Sequence, residues 1–406
     1  MRVAQYYPWV YLKSGVERTI LEIAKRSRHE HTILTNHYDP EGTFPELRSF
    51  PVVALDGVSV QRSLGAVAAA ARTIAGRRVD LSQFDAVLVH TDGLGDLFLL
   101  RNGHRPCFCF CHTPLRPCFD PEYLARVLER QSGASRLPFH VARSCFRVAD
   151  RVLWRRYRHV FFNSEETLRR ARQGGLLGAI KDRYEVCHPG LDPAEIPQSQ
   201  TFGDFFLIPG RIMWTKNIEA GLAGFLEMKR AHPDFGRFRL VIAGHVDLKS
   251  QPYLARLRQM AADRDDVSFI VSPSDEALRT LYRDCYSVVF PAWNEDWGMV
   301  PLEANAAGKP VLAARRGGPL DSQVDGVTGF LVEPTPEMFA LGLSRLAEAP
   351  DRVRAMGALA RARVHRFDWS LLVERVDDVL EAGIAADRVT KGQLPGYAMA
   401  REGNGA

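Results

Sequence analysis

Two stretches of this 406-residue chain gather residue types suited to holding a charged ligand. The first, "NEDWGMVPLE" over Asn294–Glu303, sets Glu295 and Glu303 on either side of a tryptophan, a glycine and a proline. In an unbroken helix the two carboxylates would stand about 12 Å apart along the axis. Gly298 and Pro301 argue otherwise. Proline favours the first helical position, so the sequence predicts a loop through Gly298 and a helix beginning near Pro301, with Glu303 in its first turn. The amides of Trp297, Gly298, Met299 and Val300 would then lie at the positive end of that helix, a place for an anion or a sugar hydroxyl. On spacing alone, an exposed loop glutamate followed by one that favours a helix N-terminus accounts for the pair equally well.

The second stretch, "PGRIMWTKN" over Pro209–Asn217, follows the apolar run "FFLI" and holds Gly210, Arg211 and Lys216. An arginine fork and a lysine point charge, beside a glycine that lets backbone come close, meet the needs of a diphosphate. Two surface cations are the plain alternative. Near the start, "KSGVERTILEIAK" puts Ser14 and Gly15 between a strand and a helix, a second place for phosphate contact.

Such loops need a scaffold, and the rest of the sequence reads as one. Short apolar runs alternate with helical patterns in both halves: "RVAQYY", "HTILT", "PVVAL", "DAVLVH", "CFCFC" and "HVFFNS" in the first, then "FFLIP", "FRLVIAG", "VSFIVS", "SVVFPA", "KPVLAA" and "TGFLVE" in the second. Strand and helix in alternation predict an α/β fold, each half a doubly wound unit with a parallel sheet covered on both faces. Length points to two domains. The expected boundaries are 1–190, a linker at 191–204 within "HPGLDPAEIPQSQTFGD", 205–370, a C-terminal helix at 371–386 packing back on the first domain, and a tail at 387–406. Ligands in such sheets bind beyond the carboxyl ends of the strands, where the loops above fall.

The composition, 46% hydrophobic and 25% charged, is that of a soluble globular protein. A net charge of +5, from 53 basic and 48 acidic residues, is too slight to argue for nucleic acid and suits an anionic small ligand. Seven cysteines without a spaced framework fit a reducing cytosol. No signal peptide and no run of about 18 apolar residues is visible, so a cytoplasmic protein is expected, with peripheral contact at the inner face of a membrane left open.

Three signals are set aside. Cys107, Cys109 and Cys111 alternate, which places them on one face of a buried strand rather than at the wider spacing of a zinc site. "DRD" at Asp263–Asp265 reads as a polar turn, not a metal triplet. In "RVADRVLWRRYRH", Arg147, Arg151, Arg155, Arg156 and Arg158 crowd a helix end with Trp154 and Tyr157, which suits the helix dipole or, less simply, an anionic membrane or a phosphate-bearing acceptor.

Taken together, "SGVERTILEIAK", "CHTPLR" (Cys111–Arg116), "FFNSEET" (Phe161–Thr167), "GR" with "KN" (Gly210–Asn217), "EDWGMVPLEANAAGKPV" (Glu295–Val311) and "GGPLDSQVDGVTGFLV" (Gly317–Val332) resemble the family-4 retaining glycosyltransferases of the GT-B fold. The blocks come in order over nearly the whole chain. The resemblance implies two Rossmann-like domains facing a cleft, and a nucleotide-sugar donor of GDP-mannose or UDP-hexose type used with neither metal nor resident cofactor. It implies that Arg211 and Lys216 hold the donor diphosphate and that Glu303 bonds the ribose. Glu295, with the amides of Trp297–Val300, would bind the transferred sugar, and His112 would lie near the reacting centre. Ser14, Gly15 and Gly210 would add donor contacts, and Arg116 would face the acceptor: a saccharide, a lipid-linked sugar or a small natural product. The family pattern has two glycines where this chain has Ser14-Gly15, and a glutamate where it has Asp321. A sugar-nucleotide epimerase and a non-catalytic nucleotide-sugar binding protein are the other readings of the same fold. A dehydrogenase is disfavoured, since "DGLGDL" at Asp92–Leu97 lacks the third glycine and follows a later strand.

Overall fold

Strands that are apolar at almost every position must be covered on both faces, and the chain builds two sheets of that kind. The computed structural model describes residues 1–61, 63–129, 136–196, 199–262 and 264–390. The first sheet runs, from edge to edge, Val52–Ala54, Glu30–Thr35, Arg2–Tyr6, Ala86–Thr91, Cys107–Cys111, Tyr157–Phe162 and Tyr184–Val186. The second runs Val267–Val271, Arg239–Gly244, Phe205–Pro209, Ser287–Phe290, Val311–Ala314 and Gly329–Val332. Every pairing in both is parallel. In each, strand order reverses beside the unit's first strand, which opens a crevice between Arg2–Tyr6 and Ala86–Thr91, and another between Phe205–Pro209 and Ser287–Phe290. These are the two Rossmann-like halves of a GT-B fold.

All twelve runs read as strands are strands. Tyr184–Val186 was not foreseen: it is three residues long, half-buried and carries a glutamate. The strand Cys107–Cys111 shows the period-two logic directly, since its three cysteines enter one core layer and Phe108 and Phe110 the opposite one. Burial pushes all three thiols above their ordinary range. Among the described residues no cluster of three or more His, Cys, Asp or Glu is placed to hold a metal ion. Asp263 lies outside the described residues; Arg264 pairs with Asp266 in a surface turn.

The two lobes are joined by two chain crossings lying side by side. Gly190 and Leu191 run along Phe367 and Asp368, and the Leu191 amide donates to the Phe367 carbonyl at 2.9 Å. Residues 197–198, within the expected linker, lie outside the described residues. Beyond the second crossing the helix Trp369–Thr390 returns to the first sheet, where Trp369, Leu372, Val376 and Leu380 pack with Leu88, Phe108, Phe110 and Phe161. Gly383 allows the approach: a Cβ there would stand 2.5 Å from the Phe108 ring. The helix runs past the expected end at residue 386, and Asp387 pairs with Arg158. Residues 391–406 of the expected tail lie outside the described residues.

The arginine-rich stretch forms the cationic end of a helix, as the simpler of its readings expects, but its aromatics do not face outward. The helix Arg136–Trp154 ends there, Trp154 and Tyr157 are fully buried, and Arg156 donates to the Leu99 carbonyl. The two aromatics therefore belong to the core and not to a lipid-facing surface. Among the described residues no helix is long and apolar enough to cross a membrane.

Candidate functional site

The loops carrying Gly210–Lys216 and Trp293–Gly298 leave the two strands that flank the crevice of the second sheet. Gly210 takes φ +116°, and Arg211 beyond it is exposed, with no carboxylate partner among the described residues. A single 3-10 turn, Trp214–Lys216, and Asn217 in the left-handed region lead into the helix Ile218–Ala231. Lys216 reaches across the crevice to Glu295, Nζ to Oε2 at 2.6 Å. Burial would raise the Glu295 carboxyl, but Lys216, Arg116 and Arg211 outweigh it and hold the group below its ordinary value. Glu295 is thus an ionised carboxylate.

The helix after Gly298 spans Met299–Ala306, so it begins two residues before Pro301. Glu303 sits in its second turn rather than its first. Gly298 takes φ +89°, and among the described residues none of the amides of Trp297, Gly298, Met299 or Val300 donates a hydrogen bond. That is the expected condition of a helix N-terminus with no side-chain cap. The Trp297 side chain turns away from the amides into a small core with Leu191, Leu302, Val364 and Phe367, and its Nε1 donates to the Pro189 carbonyl at 2.9 Å. The loop therefore rests on the crossing between the lobes. Glu303 accepts from the Tyr282 hydroxyl at 2.5 Å, and burial raises its carboxyl above the ordinary value despite Tyr282 and the charge of Arg18. Arg18 lies on the first-lobe helix Gly15–Arg26, so that helix faces Glu303 across the cleft.

Two glycines hold this loop in place from behind. A Cβ on Gly317 would stand 2.1 Å from the Glu295 carbonyl oxygen, and one on Gly318 2.0 Å from that of Trp297. Gly318 also donates its amide to the Glu295 carbonyl at 2.9 Å. Asp321, four residues after Gly317, accepts from the Glu165 amide at 2.8 Å and faces His188 Nε2 at 3.2 Å, so it ties the lobes together.

The first lobe clamps the same loop through a residue that sequence reading did not single out. Arg170, 1% exposed, meets Glu166 at 2.9 Å, Asp120 at 3.5 Å and the Asn294 carbonyl at 3.0 Å, and forms an ion pair with Asp296. Burial, with Arg116 nearby, brings its guanidinium down to about 10. Arg116 has a related position: it pairs with Asp120 at 3.0 Å, donates to the Asn294 carbonyl at 3.3 Å and lies 4.8 Å above the Tyr123 ring. It lines a small cleft cavity with Glu122, Arg126, Trp214 and Trp293. There the guanidinium groups of Arg126 and Arg316 lie 4.0 and 4.9 Å from the Trp293 ring centre.

His112 is buried at the end of its strand, with Nε2 3.1 Å from Nδ1 of His90, whose Nε2 is 2.8 Å from Gln5 Oε1. Gln5 donates its side-chain nitrogen to the Ile20 carbonyl, so its oxygen accepts. His90 therefore carries its hydrogen on Nε2 and His112 on Nε2 in turn, which leaves His112 Nδ1 as an acceptor. Burial lowers the His112 imidazole to about 3, so it is neutral near pH 7.

Ser14 caps the helix Gly15–Arg26 by accepting from the Val16 amide, and its hydroxyl donates to Glu17. Its side chain is therefore committed within its own turn. What the loop offers a ligand is Gly15, exposed and with nothing within 4 Å of where a Cβ would stand.

Residues 13–195 match the family described as Glycosyltransferase Family 4, and residues 195–363 match Glycosyl transferases group 1. The chain is 26% identical to the alpha-1,3/1,6-mannosyltransferase ALG2 of Mus musculus over 86% of its own length and 88% of the relative. It is 31% identical to the D-inositol 3-phosphate glycosyltransferase of Acidothermus cellulolyticus over 54% of its length and 52% of that protein. Among solved structures, Anabaena HepE in complex with UDP and glucose superposes with a TM-score of 0.71 at 18% identity, over 94% of this chain and all of that one, a likeness of fold. The chain belongs to the family-4 glycosyltransferases, and its fold is GT-B.

Proposed function

We propose that this glycosyltransferase moves a hexosyl group from a nucleotide sugar, of GDP-mannose or UDP-hexose type, to an acceptor hydroxyl, forming an α-linkage with retention and releasing a nucleoside diphosphate. The observation that carries this reading is the convergence at one crevice of Arg211, Lys216, Glu295, Glu303 and the undonated amides of Trp297–Val300. The mannosyltransferase relatives and the UDP-bound structural neighbour support the donor class. In this proposal the lobes divide at 1–190 and 205–370, the first taking the acceptor and the second the donor.

Arg211, Lys216 and the helix-end amides hold the diphosphate, whose negative charge grows as the glycosidic bond breaks. Stabilising that charge is the protein's main catalytic task. Glu295 accepts hydrogen bonds from sugar hydroxyls, and Glu303 from the ribose. The Lys216–Glu295 pair keeps both groups ordered before the donor arrives. Retention follows from a front-face reaction in which a phosphate oxygen takes the proton of the acceptor hydroxyl. His112, a neutral acceptor, bonds a hydroxyl rather than supplying a proton. Lobe closure brings the acceptor in and excludes water. An epimerase would give no glycoside, and product analysis in the presence of acceptors separates the two.

Two results are expected here. Gly15→Ala leaves stability unchanged, because the added methyl meets open space, yet raises the donor KM severalfold if phosphate packs on that amide. An unchanged KM removes Gly15 from the site. Donor affinity is expected to weaken as pH falls through the raised value of Glu303, since the ionised carboxylate accepts the ribose hydroxyls and protonation removes an acceptor. Glu303→Gln is expected to bind donor more weakly at neutral pH and to lose that acid limb; a limb that persists in the variant assigns it elsewhere. The donor itself is identified by thermal shift with GDP, UDP, dTDP and their sugars, since a ligand of the folded state raises apparent stability. No shift with any of them contradicts the proposal.

A further inference from the structure

A polar chain crosses the first core where apolar side chains would be expected. Gln5 and His90 stand on the strands Arg2–Tyr6 and Ala86–Thr91, in a sheet covered on both faces, and both are fully buried. With His112 they form the line described above, at 2.8 and 3.1 Å. The two imidazoles are inclined by 24°, which suits a hydrogen bond in the plane of both rings, and Phe110 lies against each of them, 5.8 and 5.0 Å between ring centres. A buried polar chain with every member satisfied specifies one arrangement.

That arrangement has a direction. Turning the Gln5 amide over would set its oxygen against the Ile20 carbonyl, two acceptors face to face, so the oxygen points at His90. Both rings are neutral: burial lowers His112 to about 3 and His90 well below its ordinary value. The titratable groups acting on His90 are His112 and His31, and burial brings His31 down to about 4. One hydrogen per ring then leaves Nδ1 of His112 bare. That nitrogen has no partner among the described residues, and His112 alone of the three reaches the surface, 6% exposed.

The neighbours of His112 set it beside the loop of Glu295. Asn163 donates to the His112 carbonyl at 2.8 Å, and the next residue, Ser164, donates to the Asp296 carbonyl. Arg170 links Thr113, at 3.1 Å, to the Asn294 carbonyl, at 3.0 Å. Asn294 and Asp296 flank Glu295 in the chain.

We infer that Gln5 is a positioning residue: acting through His90, it fixes the tautomer of His112, so that the site takes a hydrogen bond from a hydroxyl of the transferred sugar and rejects a group there that can only accept. A hydroxyl gives its hydrogen to the bare nitrogen. A fluorine in its place has none to give and leaves two acceptors opposed. The step from tautomer to sugar rests on the proposed function, in which His112 bonds a hydroxyl; the tautomer does not.

Two substitutions at one position separate this role from packing. Gln5→Leu removes the acceptor of the first hydrogen. His90 then carries its hydrogen on Nδ1 and gives it to His112 Nε2, so the chain reverses and His112 bears its hydrogen on Nδ1. Gln5→Glu keeps the direction. Burial favours the neutral acid, whose hydroxyl donates to Ile20 while its carbonyl oxygen accepts from His90; an ionised carboxylate would accept from His90 as well.

The test has two readouts on the full chain. The ring nitrogen resonances of His112, in protein labelled at histidine with the heavy nitrogen isotope and assigned by difference with His112→Asn, report the tautomer without any ligand. Calorimetric dissociation constants for GDP-mannose, UDP-glucose and their monofluoro analogues report its use. The parent and Gln5→Glu should show a bare Nδ1 and lose about tenfold in affinity when one particular hydroxyl becomes fluorine. Gln5→Leu should show the hydrogen on Nδ1 and close that gap to about twofold. His90→Phe keeps a ring against Phe110 and removes the acceptor of His112 Nε2, so it should also release the tautomer, and it serves if Gln5→Leu does not fold. A hydrogen on Nδ1 in the parent overturns the inference, as does a tautomer that Gln5→Leu and His90→Phe leave unchanged. A reversed tautomer with the fluorine penalty intact overturns the selectivity, and failure of both sugar nucleotides to bind overturns the donor reading, while the resonances still decide the role of Gln5.

Discussion

Lys216→Ala lowers kcat by about two to three orders of magnitude in the expected result, the usual loss when one preorganised donor to a developing anion is removed. The side chain bridges two loops from opposite sides of the crevice, so its ammonium is already placed where the diphosphate charge would build up. Removing it also frees Glu295 from its partner and leaves a second negative charge facing the donor, which adds to the loss. Lys216→Arg should recover only part of the activity, because a planar fork does not reproduce a compact ammonium at a site bounded by Phe290 and Glu295. The fold should hold, since Lys216 is only part-buried. A variant with unchanged kcat would remove Lys216 from the reacting centre.

Arg170→Met is expected to be the most damaging single change to the architecture of the site. The guanidinium is enclosed by Asp120, Glu166 and Asp296, and its removal strands carboxylates that are themselves largely buried. Breaking one side of such a network costs about 3–5 kcal/mol. The loss should appear in the denaturant midpoint. It should also appear as a smaller donor-induced thermal shift, because the Asn294 carbonyl and Asp296 immediately flank Glu295. A double-mutant cycle with Asp296→Asn isolates the direct term. If stability falls but the donor shift is intact, the clamp is structural and does not position the loop.

What the sequence made legible follows from which forces act locally. Strands buried on both faces must be apolar at successive positions, so "FFLIP" and "CFCFC" announce themselves. The glycines at 210 and 298 could be placed in loops because both take positive φ where the chain leaves a strand or enters a helix. The acidic pair Glu295 and Glu303 was visible as composition, but its setting was not. Tyr282 and Lys216 reach these carboxylates from 21 and 79 residues away, and no local pattern encodes such meetings.

The same holds for Arg170, which reads as one more polar residue in a helix until the second lobe closes over it. The chain Gln5–His90–His112 spans three adjacent strands of the first sheet or their ends, and only the sheet order brings it together. The arginine-rich stretch was legible as the cationic end of a helix, because the dipole favours arginines there. Its two aromatics were not placed by that pattern: the helix ends at Trp154 and a strand begins at Tyr157, and both rings lie in the core.

The central claim is that the second lobe's crevice grips a nucleotide sugar at its diphosphate while Glu295 and Glu303 hold the groups on either side. A crystal structure of the protein with its donor tests this most directly. The account expects the diphosphate oxygens within hydrogen-bonding distance of Arg211, Lys216 and the amides of Trp297–Val300, the ribose at Glu303 and the sugar at Glu295. A donor bound elsewhere, or bound with those four side chains turned away from it, would contradict the account.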